Sequence, residues 1–274
     1  MFLISMNINE KRNMMSNERE GIEKAKARGI YLLPNLFTAA GLFAGFYSIV
    51  AALKGYFDTA AHAIFIAMVM DALDGRVARL TNTQTAFGSE FDSLADIVSF
   101  GVAPALVVYS WSLSSLGKIG WLGAFLFAAC GAMRLARFNT QVSADKNYFQ
   151  GLPIPGAAAV LASFVWLWYD YTAQGLWFQV LMLIITAVLA LMMVSNIRFH
   201  SFKNINFKNK VPFIGILIVV LGLICIALNP PAMLFIVFAG YAISGPIFTL
   251  TILSKKRRLR KLARKRRFEK DVGR

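Results

Sequence analysis

Five acidic residues lie within the 26-residue stretch DALDGRVARLTNTQTAFGSEFDSLAD, from Asp71 to Asp96, in a chain with only 14 Asp and Glu. Asp71 and Asp74 are spaced i, i+3, and Asp92 and Asp96 are spaced i, i+4. On helices, each pair shares one face. Glu90 falls off the face shared by Asp92 and Asp96 and reads as a solvated or paired carboxylate. Four carboxylates held together in a poor dielectric repel strongly, so cations must compensate them. Ligation by oxygen alone, with no Cys or His in the stretch, favours a hard divalent ion such as Mg²⁺ or Mn²⁺. Such ions beside carboxylates most often handle phosphate. Gly75 and Gly88 permit close approach of a ligand or a neighbouring helix, and Arg79 offers a permanent cation whose fork suits phosphate oxygens. The spacing therefore predicts a site where two divalent cations meet a diphosphate. The plainer alternative is a set of helix-end acids solvated by water and paired with Arg76 and Arg79. Any one Asp suits that alternative, whereas four in two same-face pairs point to chemistry.

The elements that must position these residues are membrane helices. The chain has 274 residues, 57% of them apolar, a mean hydropathy of +0.58 and only 16% charged residues. Soluble domains carry nearer a quarter charged, and repeated apolar runs of about 18 or more residues indicate membrane spans. The expected fold is all-α, a polytopic integral membrane helix bundle. Eight spans are expected, at roughly 33–53, 57–80, 87–113, 117–139, 153–171, 174–195, 211–228 and 231–253. Residues 1–32 read as an N-terminal segment with an amphipathic surface helix, 33–253 as one membrane domain, and 254–274 as a basic tail. "MFLIS" is too short for the apolar core of a cleavable leader. Cys130 and Cys225 both sit in apolar runs, without a CxxC or Cys/His cluster, and indicate neither a disulfide framework nor zinc. His62 and His200 read as structural.

Charge sets the orientation. With both termini on the inner side, 27 of the 29 Lys and Arg fall inside, and only Lys54 and Lys118 fall outside. By the positive-inside rule both termini, and with them the carboxylates near the inner end of span two, face the cytoplasm. Twelve of those cations lie in 254–274, directly after a span. Leu259, Leu262, Ala263 and Phe268 interleave there at helical spacing, which fits a helix lying on anionic lipid headgroups. Nucleic acid is not the expected partner.

Written as a pattern, the acidic stretch is D-x2-D-G-x2-A-R-x8-G-x3-D-x3-D, met by Asp71, Asp74, Gly75, Ala78, Arg79, Gly88, Asp92 and Asp96. It resembles the signature of the CDP-alcohol phosphotransferase family without a departure. The resemblance implies an integral membrane transferase that cleaves the diphosphate of a CDP-linked lipid and passes the phosphatidyl group to an alcohol. It implies that Asp71, Asp74 and Asp92 hold two divalent cations, with Asp96 as general base and further ligand. Gly75, Ala78, Arg79 and Gly88 are implied to shape the CDP pocket. Thr85 matches a hydroxyl position at the diphosphate, and Asn35 and Thr38 of "LPNLFT" resemble nucleotide contacts. A homodimer is implied as well.

The segments "RLARFN", "YFQGLPIP" and "SNIRFHSFK" resemble the phosphatidylserine synthase branch of that family. The resemblance implies CDP-diacylglycerol and serine as substrates, with CMP released. Arg134, Arg137, Asn139, Asn196, Arg198 and Lys203 lie on inner helix ends or loops and could hold a small anionic group such as an amino acid carboxylate. Basic residues at those places are also topology signals. Three other readings stay open. The same chemistry could use glycerol 3-phosphate or inositol phosphate as acceptor, or an archaeal ether-lipid donor. An Asp-rich prenyltransferase normally separates its two acidic motifs far along the chain. A cation-coupled transporter predicts acids near mid-membrane.

Overall fold

The computed structural model describes residues 32–140, 148–170, 175–200, 213–249 and 251. The N-terminal surface helix, the basic tail and Lys203 lie outside the described residues. Within them the chain forms α1 (Leu32–Leu53), α2 (Phe57–Leu80), α3 (Ala86–Asp96), a π-helical segment (Ile97–Val102) and α4 (Ala103–Trp111). A 3-10 turn (Leu113–Leu116) leads to α5 (Lys118–Thr140), and α6 (Ile154–Trp168), α7 (Leu176–Val194), α8 (Phe213–Leu228) and α9 (Pro230–Thr249) follow.

Among the described residues, five stretches are long and apolar enough to cross a membrane: α1, the continuous run Ala86–Trp111, α5, α7 and α9. The other three expected spans are helical but fall outside that set. Helix α2 carries Asp58, Asp71, Asp74, Arg76 and Arg79. Helix α6 has 15 residues and α8 has 16 described ones, or roughly 22–24 Å at 1.5 Å per residue. Helix α6 is short yet central: eleven of its residues, from Ile154 to Val165, are buried, six of them Gly, Ala or Ser. Small side chains let neighbouring helices approach its backbone closely, which is how helices associate in lipid. The buried hydroxyl of this helix is satisfied locally: Ser163 Oγ donates to the Ala159 carbonyl at 2.6 Å.

One departure from the all-α expectation lies between α5 and α6 and after α7. Segments read as polar loops contain β1 (Tyr148–Gln150) and β2 (Arg198–His200), paired antiparallel with Phe149 opposite Phe199. The pairing continues as Gly151 N–H to Ile197 O at 2.9 Å and Leu152 N–H to Met192 O at 3.1 Å. Three residues per strand carry too little periodicity to be seen in sequence. The ladder fixes the entry to α6 against the exit of α7.

Candidate active site

Helix α2 ends in a tight reversal that returns the chain as α3. Thr81 N–H bonds to Val77 O at 2.9 Å and Thr83 N–H to Ala78 O at 3.1 Å, with Asn82 left-handed at φ 52° between them. The Thr83-to-Ala78 bond is the long, six-to-one bond of a Schellman stop, with Asn in the left-handed place usually held by glycine. Thr85 then caps α3: its Oγ1 accepts from Gly88 N–H at 2.9 Å. A Cβ on Gly88 would stand 3.0 Å from Thr85 Oγ1 and 3.1 Å from Asn35 Oδ1. The glycine thus lets the cap and the start of α1 close on the α3 N-terminus.

The reversal brings both Asp pairs to one narrow cleft, lined by Thr38, Asp71, Asp74, Asp92, Asp96 and Ser99 among others. Carboxylate oxygens of Asp71, Asp74 and Asp92 lie within 4.8 Å of one another. Asp74 is buried, and Thr38 Oγ1 donates to its Oδ2 at 2.7 Å. That bond leaves the other Asp74 oxygen for the cleft. An all-oxygen triad converging in a partly buried cleft fits a hard divalent cation. Asp96 lines the same cleft but stands outside the triad. Its electrostatic neighbours are the carboxylates of Asp71, Asp92 and Asp74 and the guanidinium of Arg134.

The remaining expected site residues divide. Arg79 is exposed at the end of α2, with its Nε donating to Gly75 O at 2.7 Å. A Cβ on Gly75 would meet only Arg79 Nη2, at 3.9 Å, so no protein packing demands glycine there and the space faces outward. Ala78 is half-buried on the same helix. On α5, Arg134 has a buried Nε–H without a hydrogen-bond partner. One turn on, Arg137 donates to Asn196 Oδ1 at 2.7 Å and to Val194 O at 3.4 Å, joining α5 to the end of α7. Asn139 Nδ2 donates to Ser93 Oγ at 3.0 Å, tying the end of α5 to α3. Arg198 takes part in the β ladder through its backbone.

Sequence reasoning missed Ser99, Gly41 and Tyr241. Ser99 is buried in the π-helical segment and donates to Gly41 O at 3.2 Å. Tyr241 of α9 packs its ring 3.7 Å from where a Cβ on Gly156 would lie and is an electrostatic neighbour of Arg134. No local pattern announces any of the three, since each acts through a partner far along the chain.

Carboxylates of two successive helices thus converge in one cleft of an apolar helix bundle, and an arginine is exposed at the end of the helix that carries the first two. The sequence profile described as CDP-alcohol phosphatidyltransferase matches residues 31–194. The chain belongs to that family and is a transferase of phospholipid biosynthesis. It is 39% identical over 227 residues to the CDP-diacylglycerol–serine O-phosphatidyltransferase of Helicobacter pylori, covering 82% of this chain and 94% of that protein. The enzyme of the same name from Mycobacterium leprae is 34% identical over 185 residues, 64% of this chain and 61% of that one. The archaetidylserine synthase of Methanothermobacter thermautotrophicus is 39% identical over 141 residues, 51% of this chain and 60% of that one.

Proposed function

We propose that this protein transfers the phosphatidyl group of CDP-diacylglycerol to the hydroxyl of L-serine, giving phosphatidylserine and CMP. One observation carries the reading: Asp96 lines the cleft of the carboxylate triad and has Arg134, whose Nε–H is buried and unbonded, as its cationic neighbour. The triad suits the donor's diphosphate once cations are bound, and a single arginine suits a singly charged carboxylate. The relatives named above differ in their lipid donor but share serine in their names, which supports the same acceptor here.

In this reading Asp71, Asp74 and Asp92 hold two divalent cations, Mg²⁺ or Mn²⁺. When bound, these neutralise the diphosphate and the charge that builds on the leaving CMP. Arg79, at the mouth, reaches for phosphate oxygens, and the open space beside Gly75 admits the nucleotide. Thr85 and Asn35 border the same entrance. Arg134 holds the serine carboxylate. Asp96 accepts the proton of the serine hydroxyl as that oxygen forms a bond to the lipid-side phosphorus and the bond from that phosphorus to CMP breaks. The active site faces the cytoplasm, where serine and CMP are exchanged, while the lipid enters from the bilayer.

The test is CMP release by purified protein given CDP-diacylglycerol, Mn²⁺ or Mg²⁺ and, separately, serine, glycerol 3-phosphate, inositol or inositol phosphate. Release with serine alone is the expected outcome. Release only with a phosphorylated alcohol sinks the serine assignment.

A further inference from the structure

One face of α1 touches both carboxylate-bearing segments. Thr38, Gly41 and Gly45 are spaced i, i+3, i+7 and therefore lie in one row. Thr38 bonds to Asp74 on α2. A Cβ on Gly41 would stand 3.6 Å from Ala67 O and 4.0 Å from Asp71 N, so Gly41 rests on the α2 backbone beside the first carboxylate. Its own carbonyl accepts from Ser99 Oγ at 3.2 Å. A Cβ on Gly45 would fall 2.7 Å from Ser99 Cα and 2.8 Å from Ser99 Cβ, closer than packed atoms come. Ser99 is 2% exposed, lies three residues past Asp96 and lines the cleft from the π-helical segment that begins directly after that carboxylate.

These contacts answer a mechanical problem. Four like charges push α2 and α3 apart. The two helices are joined by the short turn at Thr81–Thr85, and the π-helical form that follows Asp96 is rare and frequent at functional sites. Something must fix the rotation of Asp92 and Asp96 against Asp71 and Asp74. Helix α1 contacts the first pair's helix through Thr38 and Gly41, and the segment that follows the second pair, at Ser99, through Gly41 and Gly45.

We propose that α1 is the spacer of the site, and that Gly45 and Ser99 are positioning residues setting the separation of the two carboxylate pairs to the size of the cations. This rests on the reading of the carboxylates as a cation site. Neither residue is among the fixed positions of the acidic signature. The role is mechanical: an added Cβ at position 45 drives the π-helical segment off α1 and opens the cleft.

The experiment measures Mn²⁺ binding to purified protein without substrate, by the paramagnetic resonance signal of free Mn²⁺, alongside thermal unfolding. Gly45→Ala is expected to bind Mn²⁺ about tenfold more weakly, as disturbed support of metal ligands does. Ser99→Ala loses the bond to Gly41 but keeps the close crossing, and about a threefold loss is expected for one hydrogen bond. Gly222→Ala, where an added Cβ meets nothing within 4 Å, is the control and should bind as wild type does. Wild-type affinity in folded Gly45→Ala overturns the proposal, even if its unfolding temperature falls. Should Gly45→Ala fail to fold, the smaller Ser99→Ala decides, and an unchanged affinity there overturns it equally. Wild-type protein that binds no Mn²⁺ sinks the cation reading and the spacer with it, whereas unchanged variants sink the spacer alone.

Discussion

Arg137 Nη2 donates to Asn196 Oδ1 at 2.7 Å, and the same guanidinium reaches the carbonyl of Val194 at the last turn of α7. The contact holds the end of α5 to the end of α7 and occupies two residues that the sequence offered as acceptor ligands. Arg137→Ala should therefore act on stability. A loss of about 0.5–1.5 kcal/mol is expected from the broken hydrogen bonds, read as a lower unfolding temperature in detergent. The KM for serine in the folded fraction should stay near wild type. A large rise in that KM with unchanged stability sinks this division of roles.

Arg134 lies one turn away and differs in every respect that matters. Its Nε–H is buried without a partner and its charged neighbour is Asp96. Arg134→Gln should raise the KM for serine at least about tenfold while leaving the KM for CDP-diacylglycerol nearly unchanged, the signature of a lost ground-state contact to one substrate. Arg134→Lys should rescue little, because an ammonium does not reproduce the planar fork. Equal losses toward both substrates contradict the assignment.

Asp96 stands outside the triad of close carboxylate oxygens. If it serves as the base, Asp96→Asn should lower kcat by about 10²–10⁴-fold while Mn²⁺ binding in the absence of substrate stays within about twofold, since the triad is intact. Substantial turnover by this variant excludes the proton-accepting role. Loss of Mn²⁺ binding makes Asp96 chiefly a ligand.

The contrast between Arg134 and Arg137 shows where sequence reading stops. The pairing of Asp71 with Asp74 and Asp92 with Asp96 was legible because helical periodicity alone puts each pair on a face, and hydropathy marked the helices that carry them. The meeting of the two pairs followed from the short turn between them. Which arginine keeps an unbonded Nε–H was not legible, because the answer lies in Asn196, 59 positions beyond Arg137. The π-helical segment after Asp96 is equally silent in sequence, since IVSFGV continues the apolar pattern of a plain helix. Thr38 resembled a nucleotide contact and is found holding Asp74, 36 residues away. Helix α6 was expected to be a full span. It is a short packed core, because its Gly- and Ala-rich face serves other helices more than lipid.

The bond from Thr38 to Asp74 makes the divalent cation testable from its support as well as from its ligands. Chelation of divalent ions by EDTA should stop CMP release, and Mn²⁺ or Mg²⁺ should restore it. Replacing Asp71, Asp74 or Asp92 by Asn removes one charge from the triad and should abolish that restoration at ordinary ion concentrations. Thr38→Val keeps the shape but deletes the donor, leaving the buried Asp74 oxygen without its partner and free to turn from the cleft. About a tenfold rise in the Mn²⁺ needed for half-maximal turnover is expected, and Thr38→Ser, which restores the hydroxyl, should return most of it. If Thr38 instead touches only the nucleotide, Thr38→Val raises the KM for CDP-diacylglycerol and leaves the Mn²⁺ requirement where it was. The two outcomes separate in one pair of titrations, ion against substrate.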